Sequence, residues 1–233
     1  MHGAMRIPEL SQRDRFVRRA VAQKGVWAVA GEEGLARVAS PDNPGREVTL
    51  LWTAESEAHR WADVLVTNPR VKMIPLNELI ADVLPKLAEL NRLAGLDWSA
   101  DPIECEVDPN DLIARIRQEG VESFLQRTRL NNSVWMLEDM NGPALLVAHH
   151  HASRLMLPCW ASRAEAEVRL EGPWSGMLAV EIPLHNFVHA TLPWLVDQDW
   201  LVAPGYVPGS DTMELSPLDL VRRIEPDAFA KSA

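Results

Sequence analysis

The tripeptide Ile74-Pro75-Leu76 returns in the second half of the chain as Ile182-Pro183-Leu184, and this repeat indicates how the chain is organised. The same offset, the repeat step, relates further pairs along the chain: Trp27 and Trp135, Trp52 and Trp160, Leu84-Pro85 and Leu192-Pro193, Asp111-Leu112 and Asp219-Leu220. No insertion is needed between about residue 15 and residue 116. An ungapped internal repeat indicates a duplicated structural unit. We therefore predict two tandem domains, residues 11–117 and 119–226.

Each copy carries the same order of predicted elements: helix, three strands, helix, strand, helix, strand, helix. The first strand of each copy, Val26–Ala30 or Val134–Leu137, is rich in β-branched and aromatic residues. Gly34 and Gly142 follow these strands as hairpin turns. This order predicts an α+β fold, with two tandem copies of a mainly antiparallel sheet packed with helices.

Local signals set the expected ends of several helices. Thr53 and Ser162 are placed to cap the middle helix of each copy, because a hydroxyl oxygen can accept from a free amide in the first turn. Pro85 and Pro193 are expected to end the next helix, because proline lacks the N–H that a helix interior needs. A short link, Gln118–Val121, is expected to separate the last helix of the first copy from the first helix of the second.

The motifs of the two copies resemble a known bacterial family. The second copy carries Val134-Trp135, Leu157-Pro158-Cys159-Trp160, Ile182-Pro183-Leu184 and Leu215-Ser216-Pro217. In the first copy, Leu50-Leu51 replaces the Leu-Pro step. On these motifs the chain resembles a tandem pair of DUF2750 domains, with a more distant likeness to SseB-type N-terminal domains. The resemblance implies this fold and no established activity.

The composition is that of a globular cytoplasmic protein. Apolar residues make up 47% of the chain and charged residues 24%, which is average for such proteins. No stretch approaches the roughly 20 apolar residues that span a bilayer, and the N-terminus lacks the pattern of a signal peptide. Cys105 and Cys159 differ in repeat position, which favours two reduced thiols over a disulfide.

The net charge is −10, from 33 acidic and 23 basic residues. An acidic surface repels phosphate backbones, so the charge argues against nucleic-acid binding. The same field attracts a basic protein from a distance. We therefore expect a protein partner, and a basic one, rather than a nucleic acid or a membrane.

No motif of common enzymes is present. The sequence lacks G-x-S-x-G, the P-loop and G-x-G-x-x-G, which speaks against the usual hydrolases and nucleotide enzymes. The carboxylate pairs Asp197 with Asp199 and Glu104 with Glu106 are interpreted as solvated charge. Together these absences favour a non-catalytic protein without a cofactor.

Histidines of the second copy form the strongest candidate metal site. His185 and His189 are four residues apart on a predicted helix and project from one face, as a metal-binding pair does. His149 and His151 lie in one predicted turn. Zinc held by these four residues is the alternative hypothesis, either in a metal-dependent enzyme or in a small-ligand-binding protein. Nothing in the sequence brings the turn and the helix together.

Tryptophan supplies the candidate partner surface. The chain has nine tryptophans against one tyrosine, and those that do not recur at the repeat step are candidates for contact, because tryptophan is enriched among binding hot spots. Trp194 and Trp200 flank an acidic turn that contains Asp197 and Asp199, and Trp174 lies earlier in the same copy. These five residues are the predicted partner-binding set.

We therefore expect a cytoplasmic, non-catalytic protein-binding protein, a monomer or a homodimer. Its charge suits an immunity-type inhibitor of a basic toxin, or an adaptor for another basic protein. A structural module within a larger assembly is a further alternative. The sequence identifies neither the partner nor the ligand.

Overall fold

The structure, a computed structural model, describes residues 11–99, 105–151, 153–209 and 213–225. It divides into two compact units: Met1–Glu119 with Gly209–Asp211, and Gly120–Pro208 with Thr212–Ala233. The predicted second domain ends at Pro226, which lies outside the described residues, as does Glu104.

The first unit alternates helices with short strands. Its elements, in chain order, are α1 (Gln12–Gln23), β1 (Gly25–Gly31), β2 (Gly34–Leu35), β3 (Arg37–Ala39), β4 (Glu47–Leu51), α2 (Glu55–Leu65), β5 (Arg70–Pro75), α3 (Leu76–Glu78), a π-turn (Leu79–Val83), α4 (Leu84–Glu89), β6 (Leu93–Leu96) and β7 (Cys105–Val107). Two sheets result, with strand orders β2-β1-β5 and β3-β4-β6-β7.

The second unit repeats this plan. Helix α5 (Pro109–Asn131) leads into it, and the elements that follow are β8 (Ser133–Asp139), β9 (Gly142–Pro143), β10 (Leu146–Val147), β11 (Leu155–Cys159), α6 (Arg163–Glu167), a 3₁₀ turn (Gly172–Trp174), β12 (Leu178–Pro183), α7 (Leu184–Asn186), a π-turn (Phe187–Thr191), α8 (Leu192–Asp197), β13 (Leu201–Pro204) and α9 (Pro217–Ile224). The sheets are β12-β8-β9 and β10-β11-β13.

Within the described residues most strand pairs are antiparallel, and each unit contains one parallel pair. The parallel pairs are β4 with β6 and β11 with β13, and each follows a long crossover connection that contains helices. The prediction of an α+β fold built as two copies of a mainly antiparallel sheet with helices is therefore confirmed.

The recurring tryptophans join the two sheets of each unit. Trp27 and Trp52 exchange backbone hydrogen bonds of 2.7 and 2.8 Å, and Trp135 and Trp160 exchange two of 2.8 Å. The indole N–H of Trp52 donates to the carbonyl of Trp98, and that of Trp160 donates to the carbonyl of Tyr206. Because the side chains of Trp52 and Trp160 are buried, these indoles need such partners. The tryptophans that are related by the repeat step thus lie where the two sheets of each unit meet.

The prolines do not end their helices, so that prediction is wrong. In each unit a π-turn precedes the proline: the N–H of Leu84 donates to the carbonyl of Leu79, and that of Leu192 donates to the carbonyl of Phe187. The π-turn adds one residue to the hydrogen-bond register. The proline then falls in the first turn of α4 or α8, where a missing N–H is tolerated.

Of the remaining predictions about helix ends, the Ser162 cap is confirmed, whereas the Thr53 cap and the link at 118–121 are wrong. Ser162 accepts from the amide of Glu165 as predicted. Helix α2 instead begins after Ala54, because the amide and hydroxyl of Thr53 donate to the carboxylate of Asp97. The predicted link at 118–121 is helical, since α5 runs unbroken over those residues. None of the described helices is both long and apolar enough to cross a membrane.

Each unit buries its own apolar clusters. In the first unit Phe16 and Leu51 lie in one cluster, and Trp52 lies in a second with Val48 and Leu50. In the second unit Phe124, the repeat partner of Phe16, lies in the main cluster. Both phenylalanines are fully buried, so Phe16 anchors α1 to the core of the first unit and Phe124 anchors α5 to the core of the second.

Gly95 is a core position at which the two copies differ, and the space around it predicts a measurable effect on stability. A Cβ on Gly95 would lie 2.6 to 2.8 Å from Leu50 Cδ2, Trp98 Nε1 and Val48 Cγ1. We expect Gly95→Ala to destabilise the protein by about 1–3 kcal/mol, the cost of overpacking a core. Urea unfolding followed by circular dichroism measures it.

The second copy provides the control for this substitution. Ala203 occupies the repeat position of Gly95, and Tyr206 there replaces Trp98. We expect Ala203→Gly to cost about 0.5–1 kcal/mol, the usual loss for glycine in a strand. If Gly95→Ala is neutral or stabilising, the described crowding around Gly95 is not rigid.

Candidate functional site

Helix α8, which follows the π-turn of the second unit, carries Trp194, one of the five predicted partner-binding residues. Pro193 fixes the start of α8, and Trp194 follows it on the exposed side, with 40% of its surface accessible. The Trp194 ring meets the Trp200 ring edge to face, with centroids 5.1 Å apart. Trp200 itself is half-buried against the main cluster of the unit. Trp194 is therefore an exposed aromatic ring braced by a second one.

The acidic turn lies between these two tryptophans. Asp197 is the last residue of α8 and is exposed, and as the residue three after Trp194 it shares that face of the helix. It has no ion-pair partner within the described residues. We call Trp194, Asp197 and Trp200 the Trp194 surface.

Asp199 has a structural role beside this surface. Its backbone is left-handed, with φ of 56°, and Arg154 contacts it twice, with Nε 2.9 Å from its carbonyl and Nη2 2.7 Å from its carboxylate. The first unit repeats the backbone contact, since Arg46 Nε donates to the carbonyl of Asn91. The two contacts with Arg154 therefore hold Asp199 in the turn after α8, and the Arg154 guanidinium neutralises much of the charge of the Asp199 carboxylate.

Trp174 lies in a different part of the second unit. Its ring centroid is 6.3 Å from that of Trp160 and 5.7 Å from that of Tyr206, both in edge contacts. It is half-buried and packs against the smaller cluster around Trp160. This packing accounts for Trp174, and we do not include it in the Trp194 surface.

The histidines form two separate sets. His185 and His189 lie side by side as predicted, with ring centroids 4.4 Å apart, and His189 is 3.4 Å from Glu225. His149 and His151 lie in the turn between β10 and β11. In the described ranges no group of three or more histidine, cysteine, aspartate or glutamate side chains is arranged to hold a metal ion.

The turn histidines are held by a carboxylate that sequence reasoning missed. Glu214, whose side chain is 3% exposed, accepts from the backbone amides of His149 and His150 and lies 2.9 Å from His151 Nδ1. Burial raises the pKa of Glu214, but the bonds from His151 and the two amides lower it by more, so the net pKa is below its ordinary value.

The first unit has the same carboxylate at the repeat position. Glu106 accepts from Ser40 Oγ at 2.7 Å and from Asn43 Nδ2 at 2.8 Å. Its interpretation as solvated charge is therefore wrong. The signal was present in the sequence, because the repeat step that relates the tryptophans also carries Glu106 onto Glu214. Glu106 holds the turn between β3 and β4, and Glu214 holds the equivalent turn between β10 and β11.

The lowered pKa of Glu214 predicts a pH dependence of stability. A carboxyl whose folded pKa is depressed contributes stability above its unfolded pKa, and that contribution is lost as pH falls through the folded pKa. We expect Glu214→Gln to be less stable than the unmodified protein at pH 7, with the difference shrinking below about pH 4.3, the ordinary glutamate pKa. Melting temperatures from pH 7 to pH 3 test this, and a constant difference would contradict it.

The thiol of Cys159 is not placed to act as a nucleophile. Cys159 is fully buried in β11 and burial strongly raises the pKa of its thiol. Both Cys105 and Cys159 are free thiols, as expected. A thiol that stays protonated at physiological pH does not act as a nucleophile.

The acidic excess is concentrated in the second copy. Residues 119–226 contain 14 acidic and 7 basic side chains, a net charge of −7, whereas residues 11–117 contain 17 acidic and 14 basic, a net charge of −3. Five arginines of the second copy already pair with carboxylates of the same unit: Arg127, Arg154, Arg163, Arg222 and Arg223. The Trp194 surface therefore lies on the strongly acidic half of the chain.

Comparisons with known proteins bear on family and not on activity. The profile of a family described as "Protein of unknown function (DUF2750)" matches residues 13–116 and again 121–224. No curated protein matches the chain. Similar solved structures include a Tic22 of Anabaena, titled protein transport, with 12% identity over 85% of this chain and 94% of that chain, at a TM-score of 0.26. Tic22 from Plasmodium falciparum has 10% identity over 90% and 98%, at 0.25.

Proposed function

This chain belongs to the DUF2750 family, in two tandem copies, and from the differences between those copies we propose that it is a non-catalytic protein-binding protein. In this proposal the second copy binds a basic partner protein through the Trp194 surface. The first copy supplies the reference, because it has the same fold without that surface.

The observation that carries the proposal is the exchange of charged residues for tryptophans at equivalent positions. Lys86 is the repeat partner of Trp194, and its ammonium pairs with Glu89 at 2.9 Å. Arg92 is the repeat partner of Trp200 and pairs with Glu47 at 2.8 Å. The fold thus accepts a charged side chain at both positions, and the side chain of Lys86 is mostly exposed. The exposed ring of Trp194 is therefore not required by packing, and binding explains its presence.

The charge of the second copy supports a basic partner. Asp197 is exposed beside the Trp194 ring and has no ion-pair partner within the described residues, and residues 119–226 carry a net charge of −7. An aromatic anchor beside a carboxylate complements an apolar pocket rimmed with lysine or arginine. The acidic field raises the rate of encounter with such a protein and orients it.

Parallel affinity capture from a lysate of the source organism tests the proposal. Three full-length baits are used: the unmodified chain, Trp194→Lys, and the control Lys86→Ala in the first copy. We expect one basic protein to bind the unmodified and Lys86→Ala baits, to be lost at high salt, and to be absent from the Trp194→Lys capture. The same proteins on all three baits, or none at stoichiometric level, would contradict the proposal. The identity of the bound protein decides between an inhibitor of a toxin and an adaptor.

A further inference from the structure

Strand β12 forms one edge of the β12-β8-β9 sheet in the second unit. It pairs with β8 over its whole length, from Leu178 opposite Glu138 to Pro183 opposite Ser133. No further strand lies on its outer side within the part of the chain that the structure describes. A free edge presents a row of unpaired backbone groups.

The outward groups can be assigned from the register. The backbone of Trp135 bonds to Trp160, and the carbonyl of Leu137 accepts from Ala144, so both residues of β8 point away from β12. In an antiparallel pair the residue opposite such a position also points away. Ala179 and Glu181, which lie opposite Leu137 and Trp135, therefore direct N–H and C=O groups outward.

The corresponding edge of the first unit carries basic side chains that the second unit lacks. Arg70 and Lys72 of β5 lie at the repeat positions of Leu178 and Val180. Charged side chains, lysine above all, keep a sheet edge from pairing with other chains. On β12 they are replaced by apolar residues, and Leu178 is 69% exposed.

We propose that β12 binds an extended, basic segment of a partner protein as an added strand. The free amides of Ala179 and Glu181 supply the backbone bonds, and Leu178 and Val180 pack against alternate side chains of the segment. The charges select a basic segment: Glu181 is exposed on this edge in the place of Met73, Glu138 lies opposite Leu178, and residues 119–226 carry a net charge of −7. This inference rests on none of the residues of the Trp194 surface.

Hydrogen exchange with a model peptide tests the proposal on the full-length protein. The probe is a short capped peptide of alternating lysine and valine, and the comparison peptide has glutamate in place of lysine. We expect the saturating lysine peptide to slow exchange at the amides of Ala179 and Glu181 at least about tenfold, because these amides become part of a ladder. The amides of Val71 and Met73 on β5 are the internal control and should not change.

Two variants separate strand addition from general charge attraction. The double substitution Leu178→Arg with Val180→Lys restores the first copy's edge and should abolish the protection. Glu181→Pro removes one outward N–H at a position that leaves the β8 ladder intact, and should weaken binding of a fluorescent probe peptide at least about tenfold, since a strand edge is interrupted. Trp194→Lys should bind the peptide normally, which separates this test from that of the proposed function.

Three outcomes would overturn the inference. One is unchanged exchange at Ala179 and Glu181 with the lysine peptide bound or in excess. Another is equal protection by the glutamate peptide, or equal protection of Val71 and Met73. The third is protection of Ala179 and Glu181 in the free protein that rises with its concentration, because the edge would then pair with a second copy of this chain.

Discussion

Replacing Trp160 with alanine is expected to lower the free energy of unfolding by about 3–5 kcal/mol, the range found for large aromatic residues in cores. The side chain is 1% exposed and its indole N–H donates to the carbonyl of Tyr206 at 2.9 Å. Its truncation leaves a cavity beside Trp174 and Tyr206 and deprives the partly buried carbonyl of Tyr206 of its partner. Chemical unfolding followed by far-ultraviolet circular dichroism measures the loss without relying on tryptophan fluorescence.

Two other tryptophans make this prediction specific. Trp52 occupies the repeat position and is equally buried, so Trp52→Ala should cost a similar amount. Trp194→Ala should cost less than about 1 kcal/mol, since its ring is exposed at the surface. A loss below about 1 kcal/mol for Trp160→Ala would show that the site collapses around the smaller side chain.

Trp194→Lys is expected to weaken binding of the captured basic partner at least about thirtyfold, which corresponds to about 2 kcal/mol, the threshold for a hot spot. The substitution removes the exposed aromatic anchor and adds a cation that repels a basic protein. Stability should change by less than about 0.5 kcal/mol, because the residue is at the surface and the same fold position already holds Lys86. Isothermal titration calorimetry and thermal melting measure the two quantities.

Charge and aromatic contributions at the Trp194 surface can be separated. Asp197→Asn should slow association and reduce its dependence on salt, while leaving dissociation nearly unchanged, because rim charges act mainly on encounter. Lys86→Ala in the first copy should alter neither rate. If Trp194→Lys and Lys86→Ala weaken binding equally, the contact surface is not confined to the second copy.

The internal repeat made the architecture predictable and left the helix ends uncertain. The constant repeat step relates the tryptophan positions, and the structure confirms the α+β fold of two copies. The order of elements is predicted only in part, because four strands rather than three precede α2 and α6, and β7 is not predicted. A local rule about proline's missing N–H wrongly predicts helix ends at Pro85 and Pro193, because it does not register a π-turn that ends two residues earlier. Thr53 was misjudged because its partner, Asp97, is 44 residues away.

The candidate site was predictable in part. Trp194 and Trp200 stand out in the sequence because the first copy has no tryptophan at the equivalent positions. Their rings are in contact, in agreement with their closeness in sequence. The role of Arg154 in holding Asp199 was not foreseen, because it joins residues 45 apart. The roles of Glu106 and Glu214 were overlooked, although the two glutamates recur at the repeat step, because the sequence does not show which side chains and amides each carboxylate contacts. The roles of the Trp194 surface in binding and of the histidines in metal binding, and the distant likeness to SseB-type domains, stay predictions.

The main-chain junction at the tryptophans also bears on how the chain reaches its fold. The junction joins Trp27 to Trp52 and Trp135 to Trp160, whereas the parallel pair β4 and β6 joins Val48 to Leu93, across a longer stretch of chain. Closing a loop costs about 0.6 kcal/mol more for each doubling of its length, so the junction is the cheaper closure to form first. Every strand pair of the described residues forms inside one unit. The duplicated gene product thus carries two separate starting points for folding, each with a tryptophan pair at its centre.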